Sequence, residues 1–385
     1  MTATLTVNRI TLTGFRNYAQ LRLDTGAGSV VLTGPNGAGK TNLLEAVSLL
    51  APGRGLRGAP FDELVRQGDA GWAVAAELEA ATGPVKLGTA YSLSDGTGEA
   101  AGRQVTVDGL AQKGSGSLGH HTRILWLTPA MDRLFAGPAS DRRRFLGRLV
   151  LAFDPDHSTR VLGFEKAMRE RNRLLAEPHA DASWLSGLEV ELAARGVAVA
   201  AARLAAIDTL RGYAGKPTES GGKPSHFPWV MLTCEGEVES LILAMPAVQA
   251  EDQYRKMLHD SRRADAGAGR TLIGPHRSDL SVTHGPKDMP ARLCSTGEQK
   301  ALLIGIVLAH ARAVKAGFGG LAPILLLDEV AAHLDAGRRH GLYGELEGLG
   351  GQVWMTGTDR SLFEGAGPGA TIYDVNHGAI AVHGS

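Results

Sequence analysis

Residues 34–41 (GPNGAGKT) constrain the fold more than any other part of this sequence. An apolar run at 29–32 comes before them, and a helix-forming run at 42–47 follows. The order strand, glycine loop and helix, with the spacing G-x-x-x-x-G-K-T, is typical of a phosphate-binding loop. Its glycines let successive backbone N–H groups converge on one anion, and the helix N-terminus adds partial positive charge. An ordinary glycine-rich turn is the alternative, but every fixed position of the motif is matched.

The loop therefore predicts a nucleotide, with Mg²⁺ beside its phosphates. Lys40 is expected to reach the β- and γ-phosphates as a point charge and to act in catalysis, and the Thr41 hydroxyl is expected to hold the metal. The predicted phosphate-binding residues are Gly34, Pro35, Asn36, Gly37, Ala38, Gly39, Lys40, Thr41 and Asn42.

Residues 323–329 (PILLLDE) predict the acidic half of the same site. Four consecutive aliphatic residues are typical of a strand buried on both faces of a parallel sheet. Asp328 and Glu329 follow at its carboxyl end, where open α/β sheets bind ligands. We expect Asp328 to bind Mg²⁺ alongside Thr41, and Glu329 to orient or deprotonate the attacking water.

Residues 294–300 (CSTGEQK) open a long apolar helix and form a second candidate anion-binding terminus, through Ser295 and Gly297. Lys40 and Asp328 are 288 positions apart, and a serine-glycine helix start just before the acidic strand is characteristic of ABC-type ATPase heads. In such heads this serine and glycine meet the γ-phosphate held by a second copy. The sequence thus predicts an ATP-dependent homodimer with two nucleotides between the copies.

The bulk composition restricts the class of protein. A length of 385 residues suggests two or three domains, and forty Lys and Arg residues balance forty Asp and Glu residues. DNA binding would therefore depend on local patches. Cys234 and Cys294 are too few for a disulfide framework or zinc cluster, which fits a cytoplasmic protein. No signal peptide is apparent, and the longest apolar runs are too short to cross a membrane.

Hydrophobic periodicity predicts the domain organisation. Strand-like alternation at 5–12, 19–23, 71–79, 84–93 and 103–108 indicates an antiparallel sheet, and helical spacing dominates from about 129 to 262. No heptad pattern persists, so no long coiled coil is expected. We predict an α/β P-loop head of the ABC type, with a mixed sheet and an antiparallel subdomain. Residues 1–128 and 266–385 are its two halves, and 129–265 form an inserted helical lobe.

Two basic segments are further candidates. Arg16 lies in a predicted turn at 14–18, where it either contacts phosphate, stacks on a base, or sits on an exposed hairpin tip. Arg142, Arg143 and Arg144 open a helix in a stretch, 131–173, with ten Lys and Arg against six Asp and Glu. These three arginines are predicted to contact the phosphate of a nucleotide or of DNA, and the alternative is a solvated helix face.

Residues 274–277 (GPHR) form another polar turn. His276 could bind a metal in isolation. It has no Cys or His partner at ligand spacing, so a metal site is not expected there.

Together these motifs resemble those of the bacterial RecF family of recombination and DNA-repair ATPases, over nearly the whole chain. The residues that carry the resemblance are 15–18, 34–41, 137–138, 142–146, 171–172, 274–277 and 325–335.

The resemblance implies an SMC-like head that dimerises with ATP on single- or double-stranded DNA and hydrolyses ATP weakly with DNA stimulation. It further implies work with RecO and RecR in loading recombinase at gaps and stalled forks, and links to replication restart and the SOS response. The family's usual glutamine after the first strands corresponds to Gln67 or Gln104, and Thr358 and Asp359 stand where transporter heads carry a histidine.

Two other classes of protein remain as alternatives. An ABC transporter ATPase subunit would place the serine-glycine segment closer to Lys40, whereas Ser295 lies 255 positions later. Another soluble SMC-like ATPase, such as one with a nuclease domain, would need an acidic metal cluster besides Asp328 and Glu329.

Overall fold

The computed structural model describes residues 4–80, 83–93, 102–178, 181–216, 225–367 and 369–383. Contacts divide the chain into two compact units. Unit 1 contains Met1–Asp132, Pro217–Pro228 and Lys300–Ser385, and unit 2 contains Arg133–Lys216 and Trp229–Gln299. Unit 2 is therefore inserted into unit 1, and it extends to Gln299, beyond the lobe boundary expected at 265. The difference arises because Asp279–His284 pairs with Val230–Glu235 in an antiparallel sheet.

The strands of the described residues are numbered in chain order. They are β1 (Thr6–Phe15), β2 (Tyr18–Asp24), β3 (Val30–Thr33), β4 (Gly71–Ala80), β5 (Gly83–Ser92), β6 (Arg103–Val107), β7 (Leu110–Ala111), β8 (Ile124–Leu127), β9 (Val230–Glu235), β10 (Asp279–His284), β11 (Met289–Pro290), β12 (Ile324–Leu327), β13 (Val353–Gly357), β14 (Thr371–Asn376) and β15 (Ala379–Val382). The α-helices are α1 (Lys40–Ser48), α2 (Ala139–Phe153), α3 (His157–Leu175), α4 (Ala182–Ala214), α5 (Glu237–Ala244), α6 (Ala247–Asp260), α7 (Arg262–Ala268), α8 (Thr296–Gly317) and α9 (Ala336–Leu349).

A mixed sheet in unit 1 has the strand order β15-β14-β3-β13-β12-β8. Neighbouring strands from β14 to β8 are parallel, and β15 is antiparallel to β14. All four residues of β3 and of β12 are buried, as expected for parallel strands covered on both faces. The predicted strands at 29–32 and 323–327 are confirmed, and the strand order places β3 and β12 on either side of β13.

An antiparallel sheet in the order β2-β1-β4-β5-β6-β7 is the second layer of unit 1. The alternating pattern predicted the strands of this sheet except the short β7, and Ile10 and Leu12 on β1 are fully buried as it requires. Phe15 packs edge-on against Trp72 with ring centroids 5.7 Å apart, which anchors the β1–β2 turn to β4.

Unit 2 contains helices α2 to α7 and a small sheet in the order β11-β10-β9. Its core packs Phe164 of α3, Leu192 and Val197 of α4, and Tyr254 and Leu258 of α6.

The helical prediction for 129–262 is right for most of this stretch but missed β9. The partner strand of β9 begins over forty residues later, so no local hairpin signal marks it. Among the described residues, no helix is long and apolar enough to cross a membrane.

Candidate nucleotide-binding site

The glycine loop has a backbone that only glycine adopts without strain. Gly34 and Gly39 have φ angles of 147° and 115°. A Cβ atom on Gly34 would collide with the carbonyl oxygen of Val375, and one on Gly39 would lie 2.5 Å from the side-chain nitrogen of Asn17. The loop therefore passes close to β14 and to the β1–β2 turn before α1 begins at Lys40.

The Lys40 side chain is buried at the mouth of this loop, with 4% of its surface exposed. Its ammonium donates hydrogen bonds to the carbonyl oxygens of Gly34 at 2.7 Å and Pro35 at 2.9 Å. Burial lowers the pKa of Lys40, and the charges of Glu329 and Asp328 act in the opposite direction. The ammonium thus faces the loop and lies in the field of the acidic strand, as the motif requires.

Asp328 joins the two halves of the site. Its Oδ1 accepts hydrogen bonds from the hydroxyls of Thr41 and Thr356, both at 2.8 Å. Parallel β3 and β12 flank β13, so their carboxyl ends meet at one edge of the sheet. This geometry brings together the two residues predicted to hold a metal.

The donor set at this point suits Mg²⁺. A carboxylate and a hydroxyl are hard oxygen ligands, and Mg²⁺ commonly takes only one or two protein oxygens and completes its shell with phosphate and water. Among the described residues, no group of three or more His, Cys, Asp or Glu side chains could hold a metal ion. A metal here would therefore depend on the nucleotide phosphates.

Glu329 adopts a left-handed backbone conformation with φ of 53°, which is uncommon for a residue with a side chain. Its backbone N–H donates to the Thr356 hydroxyl at 2.9 Å, and its side chain is half-buried. Such backbone strain concentrates at functional sites. Thr356 on β13 thus positions both carboxylates. The role of Thr356 was not predicted. The sequence feature that could have indicated it is a hydroxyl residue within an otherwise apolar buried strand.

The turn between β1 and β2 packs on the phosphate loop. Asn17 donates to the carbonyl oxygen of Ala38 at 3.2 Å, and the Tyr18 hydroxyl donates to that of Gly39 at 3.1 Å. Asn42 in turn donates to the Asn17 side-chain oxygen at 2.8 Å. Residues 14–18 are therefore more than an exposed hairpin tip, because Asn17 and Tyr18 bond to the loop, although Asn17 itself is exposed.

Arg16 and Arg57 share one buried carboxylate on α1. Glu45 is 1% exposed and accepts from Arg16 at 2.9 and 3.2 Å and from Arg57 at 2.7 Å. Arg57 also donates to Asn42 at 2.9 Å. The role of Arg57 was not predicted from sequence. The sequence feature that could have indicated it is Glu45, an acidic residue among the apolar positions of α1. A carboxylate buried there requires cationic partners.

Ser295 and Gly297 begin α8 and are exposed. The Ser295 N–H donates to the Glu298 carboxylate at 2.9 Å and the Glu298 N–H donates to the Ser295 hydroxyl oxygen at 3.4 Å, which together form a capping box. Glu298 also pairs with Lys287, and this hydrogen bond is the main reason that the pKa of Glu298 falls to about 2. Ser295 and Gly297 belong to unit 2, whereas Lys40 belongs to unit 1.

The three adjacent arginines of α2 differ in their surroundings. Arg142 donates to both oxygens of Asp279 at 2.8 and 2.7 Å and to the carbonyl oxygen of Gly137 at 2.6 Å. Arg143 donates to the carbonyl oxygen of Ser278 at 3.0 Å. Arg144 is 74% exposed and lies 3.4 Å from Asp141. Internal bonds therefore occupy Arg142, and Arg144 is the member most accessible to a phosphate.

This contrast predicts different effects on stability. Arg142→Gln removes several hydrogen bonds to charged and carbonyl oxygens, so we expect the free energy of unfolding to fall by about 1.5–3 kcal/mol. Arg144→Gln should change it by no more than about 0.5 kcal/mol, because an exposed pair contributes little. Urea unfolding of the two variants measures the difference. Equal midpoints would contradict a structural role for Arg142.

Comparisons with known proteins identify the family and the fold of this chain. The family model for the RecF/RecN/SMC N terminal domain matches residues 6–381. The DNA replication and repair protein RecF of Mesorhizobium japonicum is 50% identical over 381 residues, which are 99% of this chain and 98% of that protein.

Solved structures show the same fold. The recombination mediator protein RecF-ATPrS in the RecFOR pathway is 22% identical, with a TM-score of 0.85 and 99% of both chains covered. The Smc head domain of Pyrococcus furiosus is 15% identical, with a TM-score of 0.52, covering 98% of this chain and 96% of that one. The predicted ABC/SMC-type head is thereby confirmed. The chain belongs to the RecF family of DNA replication and repair proteins, within the wider RecF/RecN/SMC group.

Proposed function

We propose that this chain is an ATP-dependent DNA-binding protein of recombinational repair with a weak, DNA-stimulated ATPase activity. The observation that carries the proposal is the hydrogen bond between Thr41 and Asp328, which joins the phosphate loop to the acidic strand across 287 positions. Together with Lys40 and Glu329, this pair supplies each group that phosphoryl transfer to water needs.

The chemistry follows from the positions of these side chains. Lys40 binds the β- and γ-phosphates, exchanging its carbonyl partners for phosphate oxygens. Thr41 and Asp328 would hold Mg²⁺, which would supply electrostatic stabilisation of negative charge on the phosphates. Glu329 accepts a proton from the attacking water, and its fixed backbone keeps the carboxylate in place.

The catalytic cycle is proposed to involve two copies of the chain. Ser295 and Gly297 are exposed and belong to a different unit from Lys40, which fits contact with the nucleotide of a second copy. ATP then holds a two-fold dimer closed, and hydrolysis allows it to open. Arg16 lies beside the loop and is proposed to support nucleotide binding.

The biological role is proposed from the relatives. They are named as DNA replication and repair proteins, and the similar solved protein is placed in the RecFOR pathway. We propose that this chain acts in the cytoplasm on single- and double-stranded DNA at gaps and stalled forks. There it would help RecO and RecR to load recombinase, and so support replication restart and the SOS response.

Sedimentation with and without ATP and gapped DNA tests the proposal. The wild-type chain should become a dimer with ATP. Lys40→Met should remain a monomer and bind ATP about 10- to 100-fold more weakly, because it loses charged hydrogen bonds to phosphate. Lys86→Met is the matched control, since Lys86 is 74% exposed on β5. Association of the Lys40 variant at wild-type ATP concentrations would contradict the proposal.

A further inference from the structure

The turn at residues 274–277 has no part in the nucleotide site, yet many contacts within unit 2 hold it. Tyr254 donates to the carbonyl oxygen of Ile273 at 3.1 Å, and Arg203 donates to that of Pro275 at 2.5 Å. Gly274 has a φ of 144°, and a Cβ atom there would collide with the Tyr254 hydroxyl. The backbone N–H of Arg277 donates to the carbonyl oxygen of Gly274 at 2.9 Å, which closes the turn.

His276 is one of the groups that hold the turn. Its Nε2 lies 3.0 Å from the carbonyl oxygen of Thr271, and its ring packs against Phe164 with centroids 5.8 Å apart. Burial lowers the pKa of His276, and the nearby charges of Arg277, Arg143 and Arg203 lower it further. A neutral imidazole packed in this way can support the turn, but it is not suited to bind an anion.

Side chains of α2 hold the carboxyl end of the turn in place. Arg143 donates to the carbonyl oxygen of Ser278, and Arg142 makes a bidentate ion pair with Asp279. Arg142 thereby neutralises the acidic residue that follows the turn. The side chain between these anchored points, Arg277, is exposed, and its guanidinium makes no hydrogen bond or ion pair within the part of the chain that the structure describes.

Arg143 lies near Arg277, because it donates to the carbonyl oxygen of Ser278, the residue that follows Arg277. Burial lowers the pKa of Arg143, the charges of Arg277 and Arg142 lower it further, and Asp279 alone raises it. Arg143 makes no ion pair with a described residue. Two neighbouring cations without carboxylate partners are unfavourable in isolation, and a shared anion would relieve the repulsion.

We infer that Arg277, on this fixed turn, and Arg143, on the adjoining helix α2, bind phosphates of a DNA backbone. The inference rests on the proposed DNA-binding function. It assigns the main contact with DNA phosphate to Arg277 instead of Arg142. A guanidinium matches phosphate geometry, and a turn already held in place loses little conformational freedom on binding. Arg144, the next residue on α2, is 74% exposed. Arg142 is a positioning residue that keeps Asp279 from pairing with its neighbours.

The test is the salt dependence of DNA binding by the full chain with ATP, using a gapped duplex. Each lost phosphate contact reduces the slope of log K against log salt by about 0.9, which corresponds to about eightfold weaker binding at 0.1 M salt. We expect this change in Arg277→Gln. Arg277→Lys should retain the slope, because it keeps the charge. Arg255→Gln is the matched control, since Arg255 is 51% exposed and pairs with Asp252 at 3.1 Å.

Each outcome has a definite meaning. A wild-type slope in Arg277→Gln would overturn this inference and leave the proposed function intact. If that variant loses ATP-driven dimerisation but keeps the wild-type slope, the turn contacts a second copy of the chain instead of DNA, and the inference is overturned. A wild-type chain whose DNA binding shows no salt dependence would refute the DNA part of the proposed function itself. Unchanged thermal unfolding of Arg277→Gln confirms that the fold is intact.

Discussion

Glu329→Gln should bind ATP with near wild-type affinity and accumulate as a closed dimer, while turnover falls about 10²- to 10⁴-fold. The substitution keeps the size of the side chain but removes its ability to accept a proton. The bond from the Glu329 N–H to Thr356 is unaffected, so the strained backbone and the Thr41–Asp328 contact persist. Phosphate release measures turnover, and sedimentation with ATP measures the dimer.

The control for this variant is Glu347→Gln, which changes an exposed carboxylate on α9 in the same unit. It should match the wild-type chain in both measurements. Normal turnover in Glu329→Gln would remove Glu329 from the role of general base. A dimer that fails to accumulate despite lost turnover would show that hydrolysis does not control opening.

The second large effect concerns stability and arises from Arg171. This guanidinium is fully buried and donates to Glu189 at 3.1 Å, Asp265 at 2.7 Å, Thr271 at 2.9 Å and the carbonyl oxygen of Leu258 at 2.6 Å. Arg171→Met should lower the free energy of unfolding by about 3–5 kcal/mol, because it leaves buried carboxylates without this cation. Urea unfolding measures the loss.

Arg169→Met is the matched control, because Arg169 lies two positions away on α3 and is 66% exposed. It should change the free energy of unfolding by no more than about 0.5 kcal/mol. Equal unfolding midpoints for the two variants would mean that the buried network does not stabilise unit 2.

The buried network around Arg171 also connects to the turn at residues 274–277. Asn172 accepts hydrogen bonds from the N–H and hydroxyl of Thr271 at 2.8 and 2.7 Å, and Asp265 accepts from the N–H of Leu272 at 3.0 Å. These bonds fix the chain just before Gly274. The same buried charges that stabilise unit 2 therefore help to hold Arg277 in place.

Sequence patterns placed the strands and the helix of the candidate nucleotide site correctly, because these elements are specified locally. A strand, a glycine loop and a helix are specified by adjacent residues, and the acidic strand is marked by four aliphatic residues followed by two carboxylates. The patterns were weaker where partners are distant in the chain. Strand β9 pairs with β10, and the importance of Thr356 depends on two other strands.

The arginines of α2 show this limit most clearly. Three adjacent cations look equivalent in sequence, but Arg142 faces Asp279, Arg143 faces a carbonyl group and Arg144 faces solvent. Arg277, which the sequence places in a polar turn, is exposed and has no carboxylate partner among the described residues. Exposure and pairing follow from the elements that pack together, and no local pattern encodes them.

The sequence by itself determined the class of fold, the phosphate loop, the acidic strand and the family, since each depends on residue types at short spacing. Only the tertiary structure decided which charges are free to bind a ligand. A charge acts according to its neighbours and its access to water, and both are set by contacts between segments far apart in the chain.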